Sequence, residues 1–367
     1  MLRGARADAV TRAVSILPMR VSEIRLRLQA AGAAPSHAAR VLRLWSQALP
    51  QQTVKRPIET HFPKSLRDAL PAIERELESL AGLVSAHPAE DGSERLLLRL
   101  ADGQLVESVL LPRGGLCVSS QVGCAVGCLF CKTGQSGLVR QLGSAEIVAQ
   151  VVVARRRRPV NKIVFMGMGE PSHNLENVLE SIELLGTAGH IGHKNLVFST
   201  VGDPRIFERL LRAAVKPALA VSLHTTKAAL RRELLPRAAP IEIEELVEAA
   251  DCYARATGYP IQYQWTLLEG INDGADELEG IVRLLAGRYG VLNVIPYNAV
   301  DGLPYRRPAW DQAREMARRL HRRGVLTKLR QSAGQDVDGG CGQLRARAER
   351  GSARRIAIAS GPAASRT

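Results

Sequence analysis

The sequence predicts an α/β fold, a partial (β/α)6 TIM-like barrel with a small N-terminal helical domain. Two observations predict it. After Leu116, short β-branched runs alternate with longer helical ones, an order that implies a parallel sheet with right-handed crossovers. Before about Pro88 the text is helical in period and rich in arginine. These shifts divide the chain into a basic helical domain over 1–90, a bridging β-hairpin over 91–111, an α/β body over 112–345 and a basic flexible tail over 346–367.

In the first unit, Glu23-Ile24-Arg25-Leu26-Arg27-Leu28 and Ala39-Arg40-Val41-Leu42-Arg43-Leu44-Trp45 read as amphipathic helices. The apolar stretch Ala13 to Met19 is too short to span a bilayer and has no cleavage pattern after it, so no membrane partner and a cytoplasmic location are expected. Next come RLLLRL and LVESVLLP, separated by Asp102-Gly103, a strong hairpin signal. The strands of the body are LCVSS, KIVFMGM, NLVFST, PALAVSL, IQYQWTLL and VLNVIPY, followed by GVLTKLR. Helices are expected to start at Ser144, Asn174, Asp203-Pro204 and Asp273, each a capping residue before apolar periodicity. Glu244–Ala256 also reads as a helix, with Cys252 as a small packing residue.

The formal charge is +14, and residues 1–70 hold 12 Lys or Arg against 4 Asp or Glu. Such an excess gathers phosphates, which makes nucleic acid a natural partner; a solvated basic face is the alternative. Arg155 to Arg158 close a helix, where a favourable dipole interaction and an RNA contact explain them equally well.

Chemistry enters with Cys124, Cys128 and Cys131, written CAVGCLFC. Three thiolates at this spacing can hold an iron-sulfur cluster and leave one iron without a protein ligand, whereas a relay cluster is normally held by four cysteines. Structural zinc competes, but it usually pairs two short Cys spacings, and no second CxxC appears in the chain. At the end of KIVFM stands Met166-Gly167-Met168-Gly169-Glu170-Pro171. Its glycines permit close backbone approach to a ligand, and Glu170 can accept from an ammonium or simply cap the next helix.

The CxxxCxxC loop with Phe130 before its last cysteine resembles the radical S-adenosylmethionine superfamily. Together with GMGEP, and with LCVSSQVGC, FSTVG, AVSLH, EGINDG, IPYN and DVDGGCGQL in the same order, the chain resembles the RlmN/Cfr family of radical RNA methyltransferases from about Glu107 to Leu344. The resemblance implies a barrel of the radical S-adenosylmethionine type, a 4Fe-4S cluster on Cys124, Cys128 and Cys131, and S-adenosylmethionine on the open iron with Phe130 beside its adenine. It places the cofactor contacts at Gly169, Glu170, Ser199, Ser222, Leu223, His224 and Asn298. Without the motif, His224 would read as a structural histidine.

The resemblance further implies that Cys341 carries the methyl group, that Cys117 resolves the protein–RNA adduct through a transient disulfide with Cys341, and that Glu107 accepts a proton. Two S-adenosylmethionine molecules are used per turnover, one to methylate Cys341 and one to supply the radical. An sp2 amidine carbon has neither an acidic proton nor a lone pair, so ordinary methyl displacement fails there. The implied substrate is an adenine of structured RNA, at C2 rather than C8, in 23S rRNA or tRNA. A flavodoxin or ferredoxin would supply electrons to a monomeric enzyme. Two departures stand out: the segment from Glu107 to Cys117 is shorter than usual, and glycines replace the usual alanines before Cys341. Two other functions share the cluster motif, namely a radical enzyme acting on a peptide or small molecule and a non-enzymatic metal-containing RNA-binding protein.

Overall fold

A computed structural model describes residues 18–52 and 57–346. The first 17 residues, with most of the early apolar stretch, and the tail from 347 onward lie outside the described residues. The N-terminal helices Val21–Ala30, Pro35–Ser46, Ile58–His61 and Lys64–Ser79 form as the arginine-rich period predicts. In Lys64–Ser79 the buried residues are Leu66, Leu70, Ile73 and Leu77, one stripe at helical spacing. This layer docks on the barrel through polar groups as well as apolar ones. Val21 N donates to Ser144 Oγ at 2.8 Å, Ser22 N to Glu180 Oε1 at 2.8 Å, and Gln47 Nε2 to the Ala188 carbonyl at 2.6 Å.

The next residues correct the expected boundary. Ala81–Pro88, placed in the helical unit by its sequence, is strand β1 and pairs antiparallel with β2 (Glu94–Leu100), which pairs with β3 (Leu105–Leu111). A lone hairpin leaves one edge unpaired, and β1 covers that edge of β2. The meander is not a separate bridge either. β3 pairs antiparallel with β4 (Gly115–Cys117), so the three strands extend the barrel sheet.

β4 begins a parallel series that contains every strand named for the α/β body. β5 (Gln121–Gly123) and β6 (Leu138–Gln141) form a separate small sheet flanking the cysteine loop. The series continues through β7 (Lys162–Phe165), β8 (Leu196–Thr200), β9 (Ala218–Ser222), β10 (Ile261–Leu267), β11 (Gly290–Pro296) and the short β12 (Thr327–Leu329). The crossover helices include Ser144–Arg155, Leu175–Gly186, Arg205–Arg212, Ile243–Thr257, Ala275–Leu285 and Trp310–Arg322. Register sorts the two faces. Cys117 pairs with Val164, Val164 with Val197, and Val197 with Ala218, and the last three belong to a small inner cluster with Ala220. Their neighbours Ile163, Phe165, Phe198 and Leu219 pack outward in the main core.

Two side-chain expectations change. Cys252 is exposed rather than packed, because its position on Ile243–Thr257 faces away from the sheet. The arginine run is structural. Arg155 donates to the Ser46 carbonyl at 2.6 Å and the Gly189 carbonyl at 2.8 Å, Arg156 pairs with Glu78 at 3.2 Å, Arg157 Nε with Glu94 at 3.0 Å, and Arg158 donates to the Gly92 carbonyl at 2.8 Å. All four guanidinium groups therefore tie the N-terminal layer and the meander to the barrel.

Candidate active site

The cavity at the C-terminal ends of the parallel strands gathers Cys124, Cys128, Cys131, Phe130, Gly169, Glu170, Ser199, Ser222, His224 and Cys341. Strand ends meet there because parallel strands all point their carboxyl ends to one mouth. The loop that carries the three thiols leaves β5 and ends as the short helix Lys132–Gln135, with Cys131 as its N-cap. Two glycines shape it. At Gly123, φ is +81° and a Cβ would lie 1.9 Å from the Gly137 carbonyl oxygen; at Gly127, φ is +69° and a Cβ would meet the Arg237 guanidinium at 2.6 Å.

The thiols fit a cluster better than a single ion. Burial, followed for Cys128 by the neighbouring Cys131 and Cys124 charges, pushes their pKa values up, that of Cys124 to about 12 and that of Cys128 well above its ordinary value. Burial also raises Cys131, although the Gly134 and Thr133 N–H groups at the helix start oppose it. The thiols are close enough to feel one another's charge. Among the described residues, however, no three His, Cys, Asp or Glu side chains converge to hold one metal ion. A polynuclear cluster takes each thiolate on a different iron, and its positive irons supply the stabilisation that the buried thiolates lack.

Glu170 is held at the rim of this cavity. Its N–H donates to Gln121 Oε1 at 2.9 Å, and its carboxylate accepts from Ser172 N at 3.0 Å and Val201 N at 3.1 Å. Burial raises its pKa against those hydrogen bonds. Gly169 must stay a glycine: φ is +103° and a Cβ would lie 2.6 Å from Gln121 Cβ. A side chain here would displace the turn at the cavity rim, and Gly169→Val is expected to weaken S-adenosylmethionine binding at least about 10-fold, the effect of roughly 1.4 kcal/mol of misfit. Equilibrium dialysis of the anaerobic protein measures it.

His224 reads as a neutral ring. Burial, then the Arg231 charge, lowers its pKa to about 3. Thr266 N donates to Nδ1 at 3.0 Å, which leaves the proton on Nε2, and the ring meets Phe130 edge-on with centroids 4.9 Å apart. The unfolded chain therefore binds a proton near pH 6.5 that the folded chain refuses until about pH 3. Stability from this group is present above the unfolded pKa and is lost as the pH falls. In cofactor-free protein, His224→Gln is expected to flatten the decline between pH 6 and pH 4 by about 1.4 kcal/mol per pH unit, read by urea unfolding.

Cys341 is exposed and lines the same cavity, in a segment tied down along its length. Asn298 Nδ2 donates to the Cys341 carbonyl at 2.9 Å, Lys132 N to the Gly342 carbonyl at 2.7 Å, and Thr133 Oγ1 to the Leu344 carbonyl at 2.7 Å. Asn298 Oδ1 is buried without a partner among the described residues, an acceptor available to a ligand. Cys117 faces the barrel interior from the end of β4. Cys117 does not line the cavity; burial, then the Cys341 charge, raises its thiol far above the ordinary value, which puts it within electrostatic range of Cys341.

Leu223 and Glu107 also lie off the cavity lining, as Cys117 and Asn298 do. Leu223 packs its side chain in the main core and spends its N–H on the Gln264 carbonyl at 3.0 Å, so only its backbone is near the cavity. Glu107 is fully buried on β3, away from the lining. Its carboxylate pairs with Arg95 at 2.5 Å and accepts from Arg345 N at 2.7 Å and Ala346 N at 3.1 Å, just beyond Cys341. An alternating strand such as LVESV cannot reveal that its charged residue faces inward onto a buried arginine. Glu107→Ala removes a buried charge-assisted hydrogen bond to Arg95 and is expected to cost about 1.5–3 kcal/mol of folding stability, measured by urea denaturation.

Other residues of this mouth carry no motif of their own. Gln264, Thr266 and Tyr297 line the cavity from β10 and the end of β11, at inward positions that period-2 counting on IQYQWTL finds only once the barrel is known. Gln150, buried on Ser144–Arg155, accepts from Ser119 N at 2.9 Å and donates to the Ser119 carbonyl at 2.8 Å, fixing the strand end that launches the cysteine loop. Arg231 is buried under the mouth, where it donates to the Val201 carbonyl and to the Ser222 carbonyl at 3.3 Å.

Comparison with known proteins agrees with this geometry. Residues 118–285 match the model of the radical SAM superfamily. A "Probable RNA methyltransferase" of Leptothrix cholodnii is 68% identical over 340 residues, covering 93% of this chain and 98% of its own. Another from Pseudomonas aeruginosa is 65% identical over 339 residues, 92% of this chain and 98% of its own. Among solved structures, a radical SAM methyltransferase from Sphaerobacter thermophilus superposes with a TM-score of 0.79 at 35% identity, over 90% of this chain and 98% of that one. The open-sided cysteine triad, the glycine-rich turn and these relatives together place the chain in the RlmN-like family of radical SAM RNA methyltransferases.

Proposed function

We propose that this enzyme methylates an adenine carbon, C2 in preference to C8, in structured RNA, with 23S rRNA as the main substrate and tRNA as a second, through an S-methylcysteine on Cys341. The observation that carries the reading is the placement of Cys341 in the cavity of the three candidate cluster cysteines, with Cys117 at the end of β4 within electrostatic range of it. An enzyme acting on a peptide or small molecule would need the cluster but not this pair.

When bound, the cluster and S-adenosylmethionine supply a methyl group and a carbon-centred radical, from two cofactor molecules per turnover. Cys124, Cys128 and Cys131 hold the cluster, while Gly169, Glu170, Ser199, Ser222, Leu223, His224 and Asn298 seat the cofactor. His224 does so as a neutral ring, adding no charge that competes with the cofactor's own. Cys341 presents its sulfur as methyl acceptor and then as the link to RNA; Asn298 positions it through its carbonyl. Cys117 attacks the Cys341 sulfur, breaking its bond to the RNA-bound carbon and leaving a disulfide. Its thiol must give up a proton as it attacks, because burial keeps it protonated.

Glu107 serves as proton acceptor only after the segment beyond Cys341 lifts, since Arg345 N and Ala346 N occupy one of its oxygens. The glycines around Cys341 suit such a hinge. Mass spectrometry of ribosomal and transfer RNA nucleosides from cells with and without the protein tests the proposal. Loss of a C2-methyladenosine from 23S rRNA is expected, and unchanged adenine methylation in both RNAs would sink it.

A further inference from the structure

The opposite, N-terminal mouth of the barrel holds a second concavity, of about 930 Å³, which shares no lining residue with the active-site cavity. Arg113, Lys162, Lys194, Lys328 and Arg330 line it, and no Asp or Glu does. Among the described residues none of these five side chains takes part in an ion pair or a hydrogen bond. Elsewhere this protein pairs its cations readily, as Arg288 does with Glu248 and Asp251. Conservation of structure is the usual task of this barrel face. Five crowded unpaired cations serve it badly, because they repel one another.

A second observation points to a ligand. Asn293 on β11 is 3% exposed and lines the same concavity, yet its Nδ2 has no partner among the described residues. Register places it there: Asn293 pairs with Lys328 on the neighbouring strand. Lys162 starts β7 on the face of Val164, so its ammonium joins the barrel's inner row. Partial burial, then Arg330 and Lys328, lowers the Lys162 pKa, a strain that an anion would relieve.

The geometry points to a binding site for a phosphate-bearing ligand at the N-terminal mouth of the barrel, held by Lys162, Lys328, Arg330, Arg113 and Lys194 with Asn293 as a neutral donor. The charged groups of its lining are all cations, and its volume lies in the range of nucleotide-sized pockets. A free phosphate compound and an RNA phosphate share this chemistry. Binding should weaken as salt rises.

Isothermal titration of the full-length, cluster-loaded protein with inorganic pyrophosphate tests it. Saturable binding is expected, weakened at least 10-fold in Lys162→Gln/Lys328→Gln but unchanged in Arg232→Gln/Arg318→Gln, which removes the same charge elsewhere. Asn293→Leu alters no charge, should weaken binding several-fold, and keeps the test available if the double variant misfolds. A parallel titration with a short RNA distinguishes the source. Competition by pyrophosphate and a matching loss in the variants identify an RNA phosphate, whereas unchanged RNA affinity identifies a free compound. Absence of saturable pyrophosphate binding, or an equal loss in the control variant, overturns the site.

Discussion

Cys128→Ala is expected to yield folded, colourless protein that neither cleaves S-adenosylmethionine nor methylates RNA. The three thiols are buried or half-buried in one loop, and desolvation pushes the pKa of each up, which disfavours the thiolate unless a positive iron stands beside it. Removing one would leave two thiols, too few to hold the cluster. The loss in turnover should exceed about 10⁶-fold, the lower end of enzymatic rate enhancement, because the cofactor carries the chemistry. Folding should survive, since the loop is also held by Cys124 N on the Gly137 carbonyl at 2.9 Å and Leu129 N on the Leu234 carbonyl at 3.0 Å. Iron and sulfide analysis with a 5′-deoxyadenosine assay measures the outcome. A variant that keeps cleavage would move the ligand set elsewhere.

Cys117→Ala is expected to behave in a different way: intact cluster, intact cofactor cleavage, and RNA trapped covalently on Cys341. The physical reason is that Cys117 lies within electrostatic range of Cys341 and is not one of the candidate iron ligands. Cys131 is the nearest rival, since the Cys341 charge also raises its pKa, but it is the candidate ligand of an iron. Multiple turnover should fall to a single one, visible as a protein–RNA band that a denaturing gel retains. Cys341→Ala should show neither band nor protein-bound methyl label. Clean multiple turnover by Cys117→Ala would refute its resolving role, and the trapped band would appear with whichever RNA is the substrate.

The four helix starts named from capping residues each fall within two residues of a formed helix, although no N-cap side chain bonds the first turn of any of them; the onset of apolar periodicity, itself a local signal, marks the place. The strand β1 escaped because AGLVSAHP carries no clean alternation and gains its place by covering the edge of β2. Cys252 escaped for a similar reason: a helix period shows one apolar face, and a small residue at its margin can fall on either side.

The sequence by itself determined the order of strands and helices, the cysteine loop and the family, because these depend on spacing along the chain. The tertiary structure decided which groups meet. It brought Cys341, far beyond the cysteine loop, into the cavity of the three loop cysteines through a tied segment, and set Cys117 at the end of β4 within electrostatic range of it. It also turned Glu107 into the buried partner of Arg95 and collected five distant cations at the other mouth. Such meetings depend on which face each strand presents, and faces are fixed only when the sheet closes.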